Sequence, residues 1–211
     1  MDLDKFDINQ ISTSRIVGYP RVKRAVDLFL VAVSFPLALL ILAIAALGIR
    51  LTMGSPVLYF QPRVGLGGRV FQMVKLRTMW PDVDGAEYRV TTPDDPRVTP
   101  LGRILRPFRI DEIPQLWNVV RGDMSLIGPR PEWTEQAEEF ERQEPKYALR
   151  NLVRPGITGW AQVHAGPTSD LPGARVKLAY DLFYIKHMSF ALDLEILWRT
   201  GWTLLASGGA R

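Results

Sequence analysis

Residues 28–49 read LFLVAVSFPLALLILAIAALGI, an uninterrupted run of 22 positions without a charged side chain. A helix needs about 20 consecutive apolar residues to cross the hydrocarbon core of a bilayer, so contact with a membrane is the first expectation. A buried helix of a soluble protein keeps a polar edge over such a length, and this run has none. A cleaved signal peptide has a shorter apolar core and less polar sequence ahead of it. Pro36, following Ser34 and Phe35, removes a backbone hydrogen bond and crowds the preceding turn, which predicts a kink or break at Ser34–Pro36. Basic residues flank the run on both sides: Arg15, Arg21, Lys23 and Arg24 before it, and Arg50, Arg63, Arg69, Lys75 and Arg77 after it. A single span carries its Lys and Arg excess on one side. The even distribution predicts a helix that enters, bends and returns to the same face, with a kinked single span still open because proline is tolerated in spanning helices.

Outward from this run, residues 1–20 form a polar arm without apolar periodicity, residues 21–50 the membrane element, and residues 51–211 one compact unit. The chain has 211 residues, enough for one domain with an appendage. Pro56 to Met79 holds two β-rich pieces, VLYF and RVFQMVKLRTM, separated by Gly65-Leu66-Gly67-Gly68, which predicts a strand hairpin. Residues 81–100, rich in Asp, Pro and Thr, read as a surface loop of functional length. Ile113, Leu116, Trp117 and Val120 recur with helical spacing from a start near Asp111, and Gly122 supplies the stop. Pro114 falls in the first turn, where its missing amide has no helical partner to lose. A second helix follows Pro131, with Trp133, Ala137 and Phe140 on one face and an acidic, solvated opposite side. Leu178 to Leu205 is aromatic enough for a bilayer interface, although half of it would serve equally as core.

Composition narrows the chemistry. There is no cysteine, which excludes disulfides, thiolate metal sites and cysteine nucleophiles together. Two histidines, His164 and His187, lack ligand-like spacing and read as packing or surface residues. Lys plus Arg exceeds Asp plus Glu by 26 to 22, a mild preference for anionic partners. Gly65–Gly68 lacks the spacing of a nucleotide-triphosphate loop.

Asp111 and Glu112 are the informative carboxylates. They stand at a helix start, which favours anions, and Arg103, Arg106 and Arg109 lie just upstream. Gly128-Pro129-Arg130-Pro131 and Arg154-Pro155-Gly156-Ile157-Thr158-Gly159 each set an arginine among residues that fix or release backbone angles. An ordinary capping network with solvent-facing turns would use the same residues, so spacing alone leaves both readings standing. Adjacent helical residues project about 100° apart and cannot flank a glycosidic bond, which disfavours a glycosidase. A carboxylate attacking phosphorus needs no such separation; it needs cations to offset repulsion from a diphosphate, and magnesium with several arginines would supply them.

Several ordered motifs together resemble the monotopic phosphoglycosyl transferases, the bacterial sugar transferases that begin oligosaccharide assembly on undecaprenyl phosphate. They are the apolar run with its proline, KLRTM at 75–79, DPRVTPLGRILR at 95–106, DEIPQLWNVVRGDMSLIGPRP at 111–131, VRPGITGWAQV at 153–163 and YDLFYIKHMSFALDLEIL at 180–197. The resemblance covers residues 21–203. It implies an α+β, mostly helical fold: a re-entrant membrane helix hairpin broken at Ser34 and Pro36, and a catalytic domain with a small β-hairpin and interfacial amphipathic helices. It places that domain on the cytoplasmic face of the bacterial inner membrane, in contact with its lipids. By the same resemblance Asp111 is the nucleophile and a ligand of a required Mg2+, and Glu112 is its acidic partner. Arg77, Arg106, Arg130 and Arg154 match phosphate and nucleotide contacts. The substrates implied are a UDP-sugar and undecaprenyl phosphate, with release of UMP and entry into surface-glycan or exopolysaccharide assembly; no nucleic acid is implied, and a homodimer stays open. Many members continue WAQV with Asn-Gly where this chain has His164-Ala165-Gly166, so the sugar is not specified. Larger members carry extra N-terminal membrane helices, and this chain resembles the minimal single-hairpin form. Two other readings remain distinct from this one: a membrane-anchored protein whose arginines bind lipid phosphates without turnover, and a transferase with no covalent step.

Overall fold

The computed structural model describes residues 19–81, 95–166 and 170–206. All but the last two residues of the polar arm, and most of the Asp- and Pro-rich loop, lie outside the described residues.

The apolar run belongs to one helix, α1, from Tyr19 to Met53. Its 35 residues would extend about 52 Å if straight. The helix continues through Pro36, so the expected break is not an interruption of helical structure. A proline deletes only one hydrogen bond of a long ladder, and the turns on either side carry the helix past it. Ser34 Oγ donates to the Val31 carbonyl at 3.2 Å just before that point. Lys23, Asp27, Val31, Ala38, Ala45 and Ile49 form a single buried stripe. Phe29, Val33, Phe35, Leu37, Leu39, Leu40, Ile44, Leu47 and Leu51 are exposed, a larger apolar surface than a protein leaves in water. Association with a membrane accounts for it.

The ends of α1 dock through polar groups. Asp193 accepts from Lys23 Nζ at 2.6 Å and from Tyr19 OH at 2.7 Å. Asp27 accepts from Ser125 Oγ at 2.7 Å. Val31 packs with Met73, Val119 and Met124, while Ala45 and Ile49 pack with Leu76 and Leu105.

The expected hairpin forms: β1 (Leu58–Val64) and β2 (Val70–Leu76) pair antiparallel from Leu58 opposite Leu76 to Val64 opposite Val70. Gly67 and Gly68 take positive φ of 64° and 77° in the turn, where a side chain would be strained. After the loop come α2 (Pro100–Leu105) and α3 (Gln115–Arg121), then strand β3 (Ser125–Ile127) and α4 (Thr134–Gln143). A 3-10 segment spans Pro145–Leu152 and leads to β4 (Gly156–Thr158), which pairs parallel with β3, a contact the spacing did not reveal. A Cβ on Gly156 would lie 2.1 Å from the Gly128 nitrogen, so that crossing admits only glycine.

The last described elements are α5 (Trp160–His164), α6 (Leu171–His187) and α7 (Phe190–Ala206). The aromatic C-terminal stretch is thus two helices with different surroundings. Leu178, Leu182 and Ile185 of α6 are fully buried with Phe140, Tyr147 and Ile196. Phe190, Leu194, Trp198 and Trp202 of α7 recur every fourth residue and are all exposed. Among the described residues the fold is therefore mostly helical, with two small sheets and one long apolar helix.

Candidate active site

Three motifs meet beside the β1–β2 hairpin. In KLRTM, Lys75 Nζ reaches Glu112 Oε1 at 3.1 Å. Two residues on, the Arg77 guanidinium bonds the carbonyls of Met53, Gly54 and Ser55 at 2.6, 3.0 and 3.1 Å, closing the C-terminal end of α1. Thr78 then seats α2, because its carbonyl accepts from the backbone and hydroxyl of Thr99, whose Oγ1 caps α2 through Gly102 N at 2.9 Å.

Asp111 and Glu112 lie in a 3-10 turn, Ile110–Glu112, and not yet in the helix expected there; α3 begins at Gln115, after Pro114. Proline cannot donate a backbone bond, so the chain winds in i to i+3 turns until the helix proper starts. Arg109 enters this turn at φ 54°, the left-handed region that costs an arginine of order 1–3 kcal/mol.

Both carboxylates are buried, and their partners differ sharply. Glu112 accepts from Arg130 at 2.5 Å and 3.4 Å, from Lys75 at 3.1 Å and from Arg109 at 3.4 Å. Burial opposes its ionisation, but Arg130 and Lys75 outweigh that and hold Glu112 well below the usual carboxylate range. Asp111 has no hydrogen-bond partner among the described residues. Burial, and then the Glu112 charge, push its carboxyl upward, restrained by Lys75, Arg106 and Arg130. Burial likewise lowers Lys75, with Arg130 and Arg63 adding to the effect against the pull of Glu112.

Arg130 is presented by a loop pinned at every residue. Gly128 N donates to Thr158 O at 2.9 Å, Gly156 N to Pro129 O at 2.8 Å, and Val64 N to Glu132 O at 3.0 Å. Arg150 and Arg63 donate to the carbonyls of Arg130 and Pro131, each at 2.9 Å. Behind this loop Arg150 also binds Asp181 at 2.7 Å and Glu132 at 3.1 Å, and donates to Tyr147 OH at 2.7 Å.

Of the arginines singled out from sequence, the structure brings Arg106 and Arg130 to the carboxylate pair. Arg106 is half-buried, with no side-chain hydrogen bond among the described residues and its charge acting on Asp111. Arg77 is not in this cluster, and Arg154 uses Nε on the Gly122 carbonyl at 2.9 Å, at the far end of α3. Lys75 and Arg150 were not among the site residues read from sequence. Lys75 looks like one more alternating strand position, and its ion pair spans 37 residues, so only its place in KLRTM could have pointed to it. No group of three or more acidic or histidine side chains suited to a metal occurs among the described residues. Magnesium needs only one or two protein carboxylates when phosphate oxygens complete its shell, and the unpaired Asp111 carboxylate fits that demand where the clamped Glu112 does not.

Residues 18–207 match the family model described as bacterial sugar transferase. The chain belongs to the bacterial sugar transferase family. Among similar members, a UDP-glucose:undecaprenyl-phosphate glucose-1-phosphate transferase of Caulobacter vibrioides is 44% identical over 209 residues, 95% of this chain and 78% of that protein. A UDP-N-acetylgalactosamine-undecaprenyl-phosphate N-acetylgalactosaminephosphotransferase of Aeromonas hydrophila is 41% identical over 193 residues, 92% of this chain. The chain spans about half of that longer sugar transferase, 46% of its length. The exopolysaccharide production protein PSS of Rhizobium leguminosarum bv. phaseoli is 38% identical, with 85% of this chain and 92% of that protein aligned.

Proposed function

We propose that this chain transfers a sugar 1-phosphate from a UDP-sugar to undecaprenyl phosphate through a covalent intermediate on Asp111. The observation that carries the reading is the division of labour between neighbouring carboxylates. Glu112 is clamped by three cations, whereas Asp111 is buried, raised in pKa and unpaired. A carboxylate committed to structure would be hydrogen-bonded; one reserved for attack must stay open.

An Asp111 carboxylate oxygen attacks the sugar-bearing phosphorus of the UDP-sugar. The bond from that phosphorus to the oxygen bridging the two phosphates breaks, and this oxygen leaves with the electron pair as part of UMP. A phosphate oxygen of undecaprenyl phosphate then attacks the same phosphorus, the bond to Asp111 breaks, and the carboxylate is restored. Arg106 and Arg130 bind the phosphate oxygens and offset the repulsion between the diphosphate and Asp111. Glu112, itself held by Lys75, holds Arg130 and sets the local charge. A magnesium ion held by Asp111 and the diphosphate would neutralise charge on the phosphates. Arg77 and Arg154 act from behind, the first by fixing the end of α1 and the second by fixing the end of α3.

The same reading makes α1 re-entrant, with the catalytic domain on the cytoplasmic face of the bacterial inner membrane. Val31 and Ala45 are 14 residues apart, about 21 Å along a straight helix. They pack near Met73 and Leu76, which are three residues apart on β2, about 10 Å. A bend around Pro36, which the re-entrant reading calls for, would reconcile the two spans and return both ends to one side. A cysteine introduced near residue 5 would be labelled from the cytoplasmic side only; labelling from the opposite side would mean a crossing helix.

The experiment for the chemistry is single turnover with a UDP-sugar carrying label in the sugar phosphate, without lipid acceptor. Label is expected on Asp111 with one equivalent of UMP released, and undecaprenyl phosphate should discharge it. Asp111→Asn should abolish both. Retention of full turnover by Asp111→Asn would leave a different group, or direct transfer between substrates, as the mechanism.

A further inference from the structure

Gln115 is fully buried, and neither its amide nitrogen nor its amide oxygen has a hydrogen-bond partner among the described residues. Leaving such groups unsatisfied costs about 1–3 kcal/mol each, so a buried primary amide with both ends open calls for an occupant. Its place in the chain suggests which. The backbone from Arg109 to Trp117 winds largely by i to i+3 hydrogen bonds, with Glu112 N on Arg109 O at 3.0 Å and Leu116 N on Ile113 O at 3.0 Å. In such a turn residues three apart eclipse one another. Residues three apart in α3, which begins at Gln115, are also neighbours on one side of the helix, so Glu112, Gln115 and Asn118 share one face, and both outer members grip β2. Glu112 holds Lys75, while Asn118 accepts from Val74 N at 3.0 Å and donates to Gln72 O at 2.7 Å. Only the middle member grips nothing.

Glu112 shows a matching deficit. Its Oε1 receives donors at 2.5 and 3.1 Å, but Oε2 receives only two at 3.4 Å, beyond the usual N–H to O range. An open donor thus lies one turn from an under-bonded acceptor on the same face.

We propose that Gln115 is a positioning residue that holds Glu112 Oε2 through one buried water, and so sets the Lys75–Glu112–Arg130 cluster for the transfer step. The water accepts from Gln115 Nε2 and donates to Glu112 Oε2, with Gln115 Oε1 taking its second hydrogen. This rests on the reading of Asp111 and Glu112 as the reacting pair.

Two measurements on the full chain in detergent micelles test it. The first is a crystal structure at a resolution that shows ordered water: density is expected between Gln115 and Glu112. A dry contact, or an amide bonded directly to other protein groups, would overturn the proposal. The second compares Gln115→Met with Gln115→Ala for melting temperature and for UMP release with undecaprenyl phosphate. Methionine fills the space without polar atoms, so that variant should melt at or above the wild type, with kcat lowered about tenfold and KM for the UDP-sugar within about threefold. Alanine leaves room for water to reach Glu112, so that variant should melt lower yet turn over faster than the methionine one. Turnover that instead follows stability, methionine above alanine, would make Gln115 a packing residue. If the alanine variant does not fold, the density and the methionine kcat and KM decide. If the wild type releases no UMP from any UDP-sugar, the reaction assigned to the chain fails, and the density alone decides the water bridge.

Discussion

Two buried ion clusters lie on either side of the loop Arg130–Glu132, and they are built to opposite plans. Around Arg150 the charges all find partners: its guanidinium faces both Asp181 and Glu132, its ring partner is Tyr147 at 4.8 Å, and all of these side chains are buried or nearly so. Around Glu112 they do not: Lys75, Arg109 and Arg130 converge on one carboxylate while Asp111 stands beside it unpaired, and Arg109 is nearly half exposed. A fully paired, closed cluster holds a fold together. An open, cation-rich one with a spare carboxylate waits for an anion.

The strongest way to break this comparison is Arg150→Met. It leaves Asp181 and Glu132 without their cation in a closed site, and removing one partner of a buried pair costs about 3–5 kcal/mol. Urea unfolding should show a loss of that size. A loss below about 1 kcal/mol would mean that water already reaches the cluster and that the two regions are alike. Glu112→Gln should do the reverse. Its partners reach solvent and can be hydrated, so stability should fall by no more than about 2 kcal/mol, while UMP release should fall roughly 100-fold because Lys75 and Arg130 lose the group that places them. A large stability loss with little change in rate would assign Glu112 to the structural kind.

The difference between the clusters also explains what could be read from sequence. The hairpin, the helix after Pro131 and the apolar length of α1 were legible because each is written in local periodicity and in glycine or proline. Asp111 and Glu112 stood out because charged neighbours at an element boundary are conspicuous. Arg130 stood out through its glycine and proline neighbours, but its pairing with Glu112 did not show, and neither Lys75 nor Arg150 stood out at all, since these cations lie 18 to 37 residues from the carboxylates they serve. Arg150 sits in a 3-10 segment with no signature of its own, and β3 and β4 are three residues each, too short for a period to show. Pro114 was rightly placed near a helix start, but the turn ahead of it is 3-10, which rotates Asp111 and Glu112 away from helical positions.

Acid titration should resolve the clusters by sign. Burial pushes Asp181 up to about 6, above its unfolded value of 3.8, despite Arg150. Between those values the unfolded chain loses this proton first, so Asp181 lowers stability as pH rises from about 4 to 6. Glu112 is depressed, so its contribution is complete above 4.5 and is lost as pH falls through its folded value. Acidifying from 6 to 4 therefore relieves one cluster before it damages the other. In Asp181→Asn the relief is gone, and stability should decline more steeply over that window than in the wild type, whatever its starting level. An unchanged slope would mean that Asp181 keeps an ordinary pKa and that its cluster is wetter than its burial suggests.

The smallest expected effect sharpens the boundary between binding and support. Arg154 lies in a motif that in this family suggests phosphate contact, yet its Nε holds the Gly122 carbonyl, next to the two α3 carbonyls gripped by Arg24 from α1. A half-buried charged hydrogen bond of this kind contributes about 1 kcal/mol. If its part is to anchor the end of α3, Arg154→Met should lose about that much stability and change KM for the UDP-sugar less than twofold. Arg106→Met, beside Asp111 and otherwise without a partner among the described residues, should raise KM roughly tenfold with little loss of stability. Equal rises in KM for the two variants would extend the anion site along the whole of α3, from Asp111 to Gly122, and the cation-rich cluster would then be only one end of it.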